Sequence, residues 1–192
     1  MRLLIIPMLL VAGSSALAQA PAVPSADVQI ARAVTPLPDE LQAGAAVLGY
    51  KTAGKLETIR AGKNDMVCLE PDPEAKSFHT ACYHKAMEPF MARGRSLRAE
   101  GVKGPMVDSA RFKEIKKGKL KVPAQASMMY QIFGGTYDAA TSKVTGGQRL
   151  FVTYIPFATA TTTGLSAKPS DKLPWIMFPG TPKAHIMFSS SM

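Results

Sequence analysis

The residue types best suited to chemistry gather in one stretch of the chain, between residues 68 and 88. It holds both cysteines, two of the three histidines, a tyrosine and three glutamates, and the residues of interest are Cys68, His79, Cys82, Tyr83, His84 and Glu88. Cysteine and histidine are ligands for zinc and copper, and a histidine beside a carboxylate can act as a general base. Three interpretations follow: a metal centre, a catalytic site and a structural disulfide.

The spacing of these residues argues against a metal centre. His79 and His84 are five positions apart, so neither a strand nor a helix places them on one face. The chain contains no Cys-x-x-Cys, no His-x-x-x-His and no Cys-x-x-Cys-His motif. We therefore predict neither a bound metal nor a cofactor.

A candidate site lies where this stretch runs into a predicted helix. The site consists of titratable and aromatic residues around a strand-to-helix junction, namely His79, Tyr83, His84, Glu88 and Arg93. A cleft and a helix N-terminus could meet at such a junction. The alternative is that Tyr83 packs in the core, the histidines are solvated and Arg93 pairs with Glu88. The hydrolase motifs Gly-x-Ser-x-Gly and Ser-x-x-Lys are absent from the sequence.

The N-terminus predicts export. Arg2 precedes a nearly unbroken apolar run, and an Ala-x-Ala triplet ends at Ala18. A basic start, an apolar stretch and a small-residue site are the parts of a cleavable signal peptide. The run is too short to span a bilayer, which takes about 20 residues. We therefore predict a signal peptide over residues 1–18, cleaved after Ala18, and a periplasmic or secreted protein without a membrane span.

The predicted compartment bears on the two cysteines. Outside the reducing cytoplasm two cysteines usually pair, and Cys68 and Cys82 fall in neighbouring predicted strands, which allows a cross-strand bridge. Closing a loop of this length stabilises the folded chain by roughly 3 kcal/mol. We predict a structural disulfide, with a reactive thiol pair or metal ligation as the alternatives.

The charge balance favours an anionic partner. The chain carries 23 Lys and Arg against 14 Asp and Glu, a formal charge of +9. Basic residues concentrate in two clusters: Arg93, Arg95 and Arg98, and then Lys113, Lys116, Lys117, Lys119 and Lys121. Envelope polymers and lipid head groups are the common polyanions outside the cytoplasm, whereas the lack of interleaved aromatic residues argues against nucleic acid. The simpler alternative is that the charge only keeps the protein in solution.

About seven strands and two helices are predicted to position these residues. Short apolar runs bounded by turn residues predict strands near residues 45–50, 56–60, 66–69, 78–84, 128–133, 150–155 and a C-terminal hairpin of 175–178 and 184–188. The first three runs indicate an antiparallel meander. Glu88-Pro89 begins the first helix. The second helix is predicted to run from an N-cap at Asp108 to Gly118, with Phe112 and Ile115 on its buried face.

Strands and helices do not alternate regularly, which argues against a doubly wound parallel sheet. The predicted fold class is α+β: a mainly antiparallel sheet with two helices inserted after an N-terminal meander. Residues 19–38 are rich in alanine and proline and are predicted to form a flexible arm. Residues 39–192 are predicted to form a single globular domain.

The function that these features predict is non-catalytic binding of an anionic envelope component or a small ligand. The alternative is a small periplasmic hydrolase or metal-dependent enzyme centred on His79 and His84.

Overall fold

The computed structural model describes residues 23–52 and 54–189. Its helices are α1 (Ala26–Ala33), α2 (Asp39–Gln42), α3 (Glu88–Ala99), α4 (Pro105–Lys116) and α5 (Ala160–Thr163). Its strands are β1 (Ala46–Thr52), β2 (Lys55–Arg60), β3 (Met66–Leu69), β4 (His79–His84), β5 (Ser127–Phe133), β6 (Thr136–Asp138), β7 (Lys143–Thr145), β8 (Gln148–Tyr154), β9 (Trp175–Met177) and β10 (His185–Ser189). The predicted signal peptide, residues 1–18, lies outside the described residues.

Eight of the strands formed by the described residues make one sheet, in the order β2-β1-β3-β4-β5-β8-β10-β9. Only β1 and β3 pair in parallel within it, and the other neighbours are antiparallel. The predicted α+β class with a mainly antiparallel sheet is confirmed. The C-terminal hairpin is also present, as the antiparallel pair β9 and β10.

The first three strands do not form the predicted meander. β2 pairs with β1, but the chain then crosses the start of β1, and β3 pairs with its other side. The backbone N–H groups of Lys63 and Asn64 donate to the carbonyl of Gly44, at 2.7 and 2.9 Å, and fix this crossing. A β-carbon at Gly62 would lie 2.9 Å from the backbone nitrogen of Ala46, so the close approach of the two backbones requires glycine.

One face of the sheet, here called the α1 face, is covered by α1 and the turn after it. Ala33, Val34 and Leu37 are buried there and pack in one cluster with Cys68 and Cys82. The predicted flexible arm is therefore part of the domain from α1 onward, because its apolar side chains are needed to cover this face. Residues 19–22 of that arm lie outside the described residues.

The opposite face, here called the α3 face, is covered by α3 and α4. α4 begins at Pro105, not after an N-cap at Asp108, because proline suits the first helical turn. Asp108 lies inside that turn, and the buried residues of α4 are Val107 and Arg111. Phe112 and Ile115, predicted to be buried, are only partly covered.

Two stretches outside the main sheet contain short elements. Strands β6 and β7 form a small separate hairpin between β5 and β8. The small-residue stretch near residue 160 contains α5, because the Thr159 hydroxyl accepts from the Thr162 backbone N–H and caps the helix.

Candidate functional site

The structure separates the two histidines of the predicted site. His79 and His84 lie at opposite ends of β4. The exposed His79 ring stacks on Phe133, with centroids 4.3 Å apart. His84 accepts a hydrogen bond from the Ala86 backbone through Nδ1, and its Nε2 lies 3.7 Å from a carboxylate oxygen of Asp65. The histidines therefore do not form a common site.

The two cysteines form the predicted disulfide. Cys68 and Cys82 are direct partners in the antiparallel pair of β3 and β4 and are bonded through their sulfur atoms. Both are fully buried, and sulfur atoms bonded to each other cannot act as thiolate ligands. Across residues 23–52 and 54–189, no three His, Cys, Asp or Glu side chains are grouped in a way that could hold a metal ion.

Tyr83 and Glu88 do meet, with Arg95 as the third member of the group. The Tyr83 hydroxyl donates to Glu88 Oε2 at 2.6 Å. Arg95 donates from Nη1 to the Tyr83 hydroxyl at 2.8 Å and from Nη2 to Glu88 Oε1 at 2.5 Å. Tyr83 is fully buried, and this burial raises the pKa of its hydroxyl above the ordinary value of 10.0, so the group remains a donor.

Arg93 lies on another side of α3 and serves a different purpose. Its Nε and Nη2 donate to the carboxylate of Glu114 at 3.0 and 2.8 Å, and its Nη1 donates to Glu100 at 3.1 Å. The bond from Arg93 lowers the pKa of Glu114. Arg93 therefore ties α3 to α4, and the alternative pairing with Glu88 does not form.

Arg95 lines a cleft between α3 and the hairpin of β1 and β2. This basic cleft has a volume of about 460 Å³ and is lined by Tyr50, Gly54, Lys55, Leu56, Arg95, Ser96, Arg98 and Ala99. Three of the lining residues are cations and none is a carboxylate. Tyr50, Leu56 and Ala99 supply apolar surface.

The cations of the basic cleft differ in how firmly they are held. Arg95 is fixed by Tyr83 and Glu88, whereas Lys55 makes an exposed pair with Glu57 at 2.9 Å, a kind of pair that contributes little. Among the described residues Arg98 forms no ion pair, and its side chain is exposed. Arg98 is therefore the cation most available to a ligand.

Carboxylates also lie near one end of the basic cleft. Burial, followed by the negative charges of Asp72, Glu70 and Glu74, raises the pKa of Tyr50 to about 12. The Tyr50 end of the cleft is thus less favourable to an anion than the α3 wall, where Arg95 and Arg98 lie.

A second polar cluster lies on the α3 face, where β8 ends and β10 begins. Asp108 accepts a hydrogen bond from Lys183 Nζ at 2.7 Å and another from Arg111. The buried Arg111 guanidinium lies 3.7 Å from the centre of the Phe90 ring. These contacts join α3, α4 and the turn before β10, and the sequence carries no local signal for them because Asp108 and Lys183 are far apart in the chain.

His185 belongs to the same cluster and is structural in character. Its Nδ1 lies 2.7 Å from the Lys183 carbonyl oxygen, which can only accept, so Nδ1 carries the proton. The ring stacks on Tyr154 with centroids 4.8 Å apart. Burial lowers the pKa of His185 below its ordinary value of 6.5, and the hydrogen bond to the Lys183 carbonyl opposes this shift only in part.

Compared with protein-family models, curated proteins and solved structures, the chain matches none of them. None of the helices in the described part of the chain is both long and apolar enough to cross a membrane. The chemistry of the basic cleft is therefore the basis for assigning a function.

Proposed function

We propose that this protein is an exported binding protein that holds an anionic group, from an envelope component or a small ligand, in the basic cleft. One observation carries the proposal: of the described residues that line the cleft, three are cations, Lys55, Arg95 and Arg98, and none is a carboxylate. The alternative enzyme centred on His79 and His84 has no comparable support, because the two side chains lie at opposite ends of β4.

The way Arg95 is held supports binding. Its side chain is fixed by the Tyr83 hydroxyl and the Glu88 carboxylate, so little rotamer entropy remains to be lost when a ligand arrives. Arg98 and Lys55 are exposed, and their attraction for an anion acts through water. Salt screens such attraction over about 10 Å at about 0.1 M, so binding should weaken as salt is added.

Export is the second part of the proposal. The predicted signal peptide supports it, and so does the Cys68–Cys82 disulfide, since such bonds persist in oxidising compartments. N-terminal sequencing of protein recovered from the periplasm or the medium should begin at Gln19. Full-length protein retained in the cytoplasm would contradict export.

Calorimetric titration of the mature protein with pyrophosphate tests the binding. We expect affinity to fall at least about fivefold between roughly 20 and 200 mM salt, and to fall at least about fivefold in Arg98→Gln at low salt. Lys121→Gln removes the same charge from an exposed position outside the basic cleft and should change the affinity less than about twofold.

Two results would overturn the binding proposal. One is the absence of pyrophosphate binding at low salt. The other is an equal loss of affinity in Arg98→Gln and Lys121→Gln, which would mean that the anion responds to the total charge of the protein and not to the basic cleft.

A further inference from the structure

A second cleft lies on the α1 face and is independent of the basic cleft. This aromatic cleft has a volume of about 510 Å³ and is lined by Pro36, Leu37, Pro38, Asp39, Tyr130, Arg149 and Phe151. Tyr130 and Phe151 are direct partners in the pair of β5 and β8, and their rings meet edge to face with centroids 5.9 Å apart. The two rings give the cleft an aromatic floor.

The wall of the aromatic cleft is rigid. It is the turn between α1 and α2, where the rings of Pro36 and Pro38 restrict the backbone. Leu37 between them is buried in the core of the α1 face, and its N–H donates to the Val34 carbonyl at 3.0 Å. A ligand would therefore meet a preformed apolar surface, which lowers the entropy lost on binding.

Two opposite charges line the aromatic cleft without pairing with each other. Arg149 Nη1 donates to the carbonyls of Thr35 and Pro36 at 3.3 and 3.4 Å. The Asp39 carboxylate accepts from Gln42 at 3.1 Å. Within the described structure no ion pair joins Arg149 to Asp39, and the Nε and Nη2 groups of Arg149 have no protein acceptor. Donors and an acceptor are therefore both available at the rim.

We propose that the aromatic cleft binds a small zwitterion with an apolar or aromatic side chain, that is, a free apolar α-amino acid. Its carboxylate would accept from the free N–H groups of Arg149, and its ammonium group would donate to Asp39. Its side chain would lie on Tyr130 and Phe151. A ligand of this kind can contact both charged side chains at once, whereas a simple anion or a simple cation can contact only one of them.

Calorimetric or NMR titration of the mature protein with L-phenylalanine tests this inference. The cleft is open and the ligand is small, so we expect a Kd of about 0.1–1 mM. Phenylacetate lacks the ammonium group and phenethylamine lacks the carboxylate. Each should bind at least about fivefold more weakly than L-phenylalanine, because one charged contact is missing.

Three variants locate the binding. Arg149→Gln should reduce L-phenylalanine affinity at least about tenfold and Asp39→Asn at least about threefold, while Arg98→Gln in the basic cleft should leave it unchanged. Pyrophosphate binding should be unchanged in Arg149→Gln. Failure of one proposal can therefore be distinguished from failure of the other.

The inference is wrong if L-phenylalanine does not bind at about 10 mM. It is also wrong if phenylacetate binds as tightly and Asp39→Asn has no effect. Arg149 supports the turn through Thr35 and Pro36, so its variant could lose the cleft by loosening this turn. If Arg149→Gln lowers the melting temperature, the result for Asp39→Asn decides between the two explanations. Asp39 is exposed, and among the described residues its carboxylate bonds only to neighbouring Gln42.

Discussion

The two faces of the sheet use their polar side chains differently. On the α1 face these side chains bond mainly to the backbone: Gln29 accepts from the Tyr50 N–H at 2.7 Å and donates to the Tyr50 carbonyl at 2.8 Å. On the α3 face polar side chains bond mainly to one another, as in the group of Tyr83, Glu88 and Arg95.

This difference separates structural polar groups from groups available to a ligand. A neutral side chain that satisfies buried backbone groups, as Gln29 does, replaces a missing strand or helix partner and brings no charge to the α1 face. A side-chain cluster can instead hold a guanidinium in a fixed position at a cleft, as Arg95 is held. The comparison predicts that changes on the α1 face reduce stability and that changes on the α3 face reduce anion binding.

The disulfide beneath α1 should have the largest effect on stability. The double variant Cys68→Ala and Cys82→Ala removes a cross-link that stabilises the fold by roughly 3 kcal/mol in the chain-entropy model. Urea unfolding measures the loss. A reducing agent should destabilise the wild type by a similar amount and leave the double variant unchanged. A double variant as stable as the wild type would contradict this account.

Glu70 is the exception on the α1 face, because it pairs with the Arg32 guanidinium at 2.9 Å while almost fully buried. Burial raises its pKa from 4.5 to about 7, and the charge of Arg32 offsets this only in part. The folded state then binds more protons than the unfolded state between these values. The contribution of Glu70 to the free energy of unfolding is therefore fully present below pH 4.5 and is lost as the pH rises to about 7.

Glu70→Gln should therefore remove a pH-dependent loss of stability of about 3 kcal/mol. Its free energy of unfolding, measured against wild type from pH 4.5 to pH 8, should improve relative to wild type as the pH rises. Glu74→Gln, at an exposed position, serves as the matched control and should show no such trend. A constant difference between Glu70→Gln and wild type would mean that Glu70 titrates normally in the folded protein.

Gln29→Ala should cost about 2 kcal/mol, because it leaves the N–H and carbonyl of Tyr50 without their buried partners. Pyrophosphate affinity of the folded variant should fall less than in Arg98→Gln, because Gln29 holds the Tyr50 end of the basic cleft and not the α3 wall, where Arg95 and Arg98 lie. If the affinity falls in parallel with the stability, the two faces are not independent.

Tyr83→Phe should have the smallest effect on stability, about 1 kcal/mol, because the pair of Glu88 and Arg95 remains. Arg95 is then held by one partner instead of two, so pyrophosphate affinity should fall about two- to threefold. Relative to Gln29→Ala, Tyr83→Phe should therefore cost less stability and more pyrophosphate affinity. Unchanged affinity would show that the position of Arg95 does not matter for binding.

The strands and the disulfide could be predicted because apolar runs and cysteine pairing are local or compositional signals. The order of strands is not encoded in such runs, so the parallel pairing of β3 with β1 was missed. Helical spacing does favour Arg95 over Arg93 as the partner of Glu88, since seven positions bring a side chain back to the same face. Helical spacing also places Ile30, Ala33, Val34 and Leu37 on one face and so indicates a helix that packs on the core. The prolines around these residues indicate a flexible arm instead, and the two signals conflict in this part of the chain.

Contacts between distant parts of the chain could not be predicted. Asp108 meets Lys183 only because α4 lies beside the turn before β10. Both clefts also depend on such contacts. The basic cleft lies between α3 and β2, and the aromatic cleft lies between the turn after α1 and β8. The charge of the chain predicts an anionic partner but not its position.

Mapping the amide shifts of the labelled mature protein during a pyrophosphate titration at low salt tests the central claim most directly. We expect saturable shifts that concentrate at Tyr50, Leu56, Ser96 and Ala99, around the basic cleft, with the turn at Leu37 unaffected. Shifts spread over the lysines of α4, or centred on the α1 face, would show that the basic cleft is not the anion site.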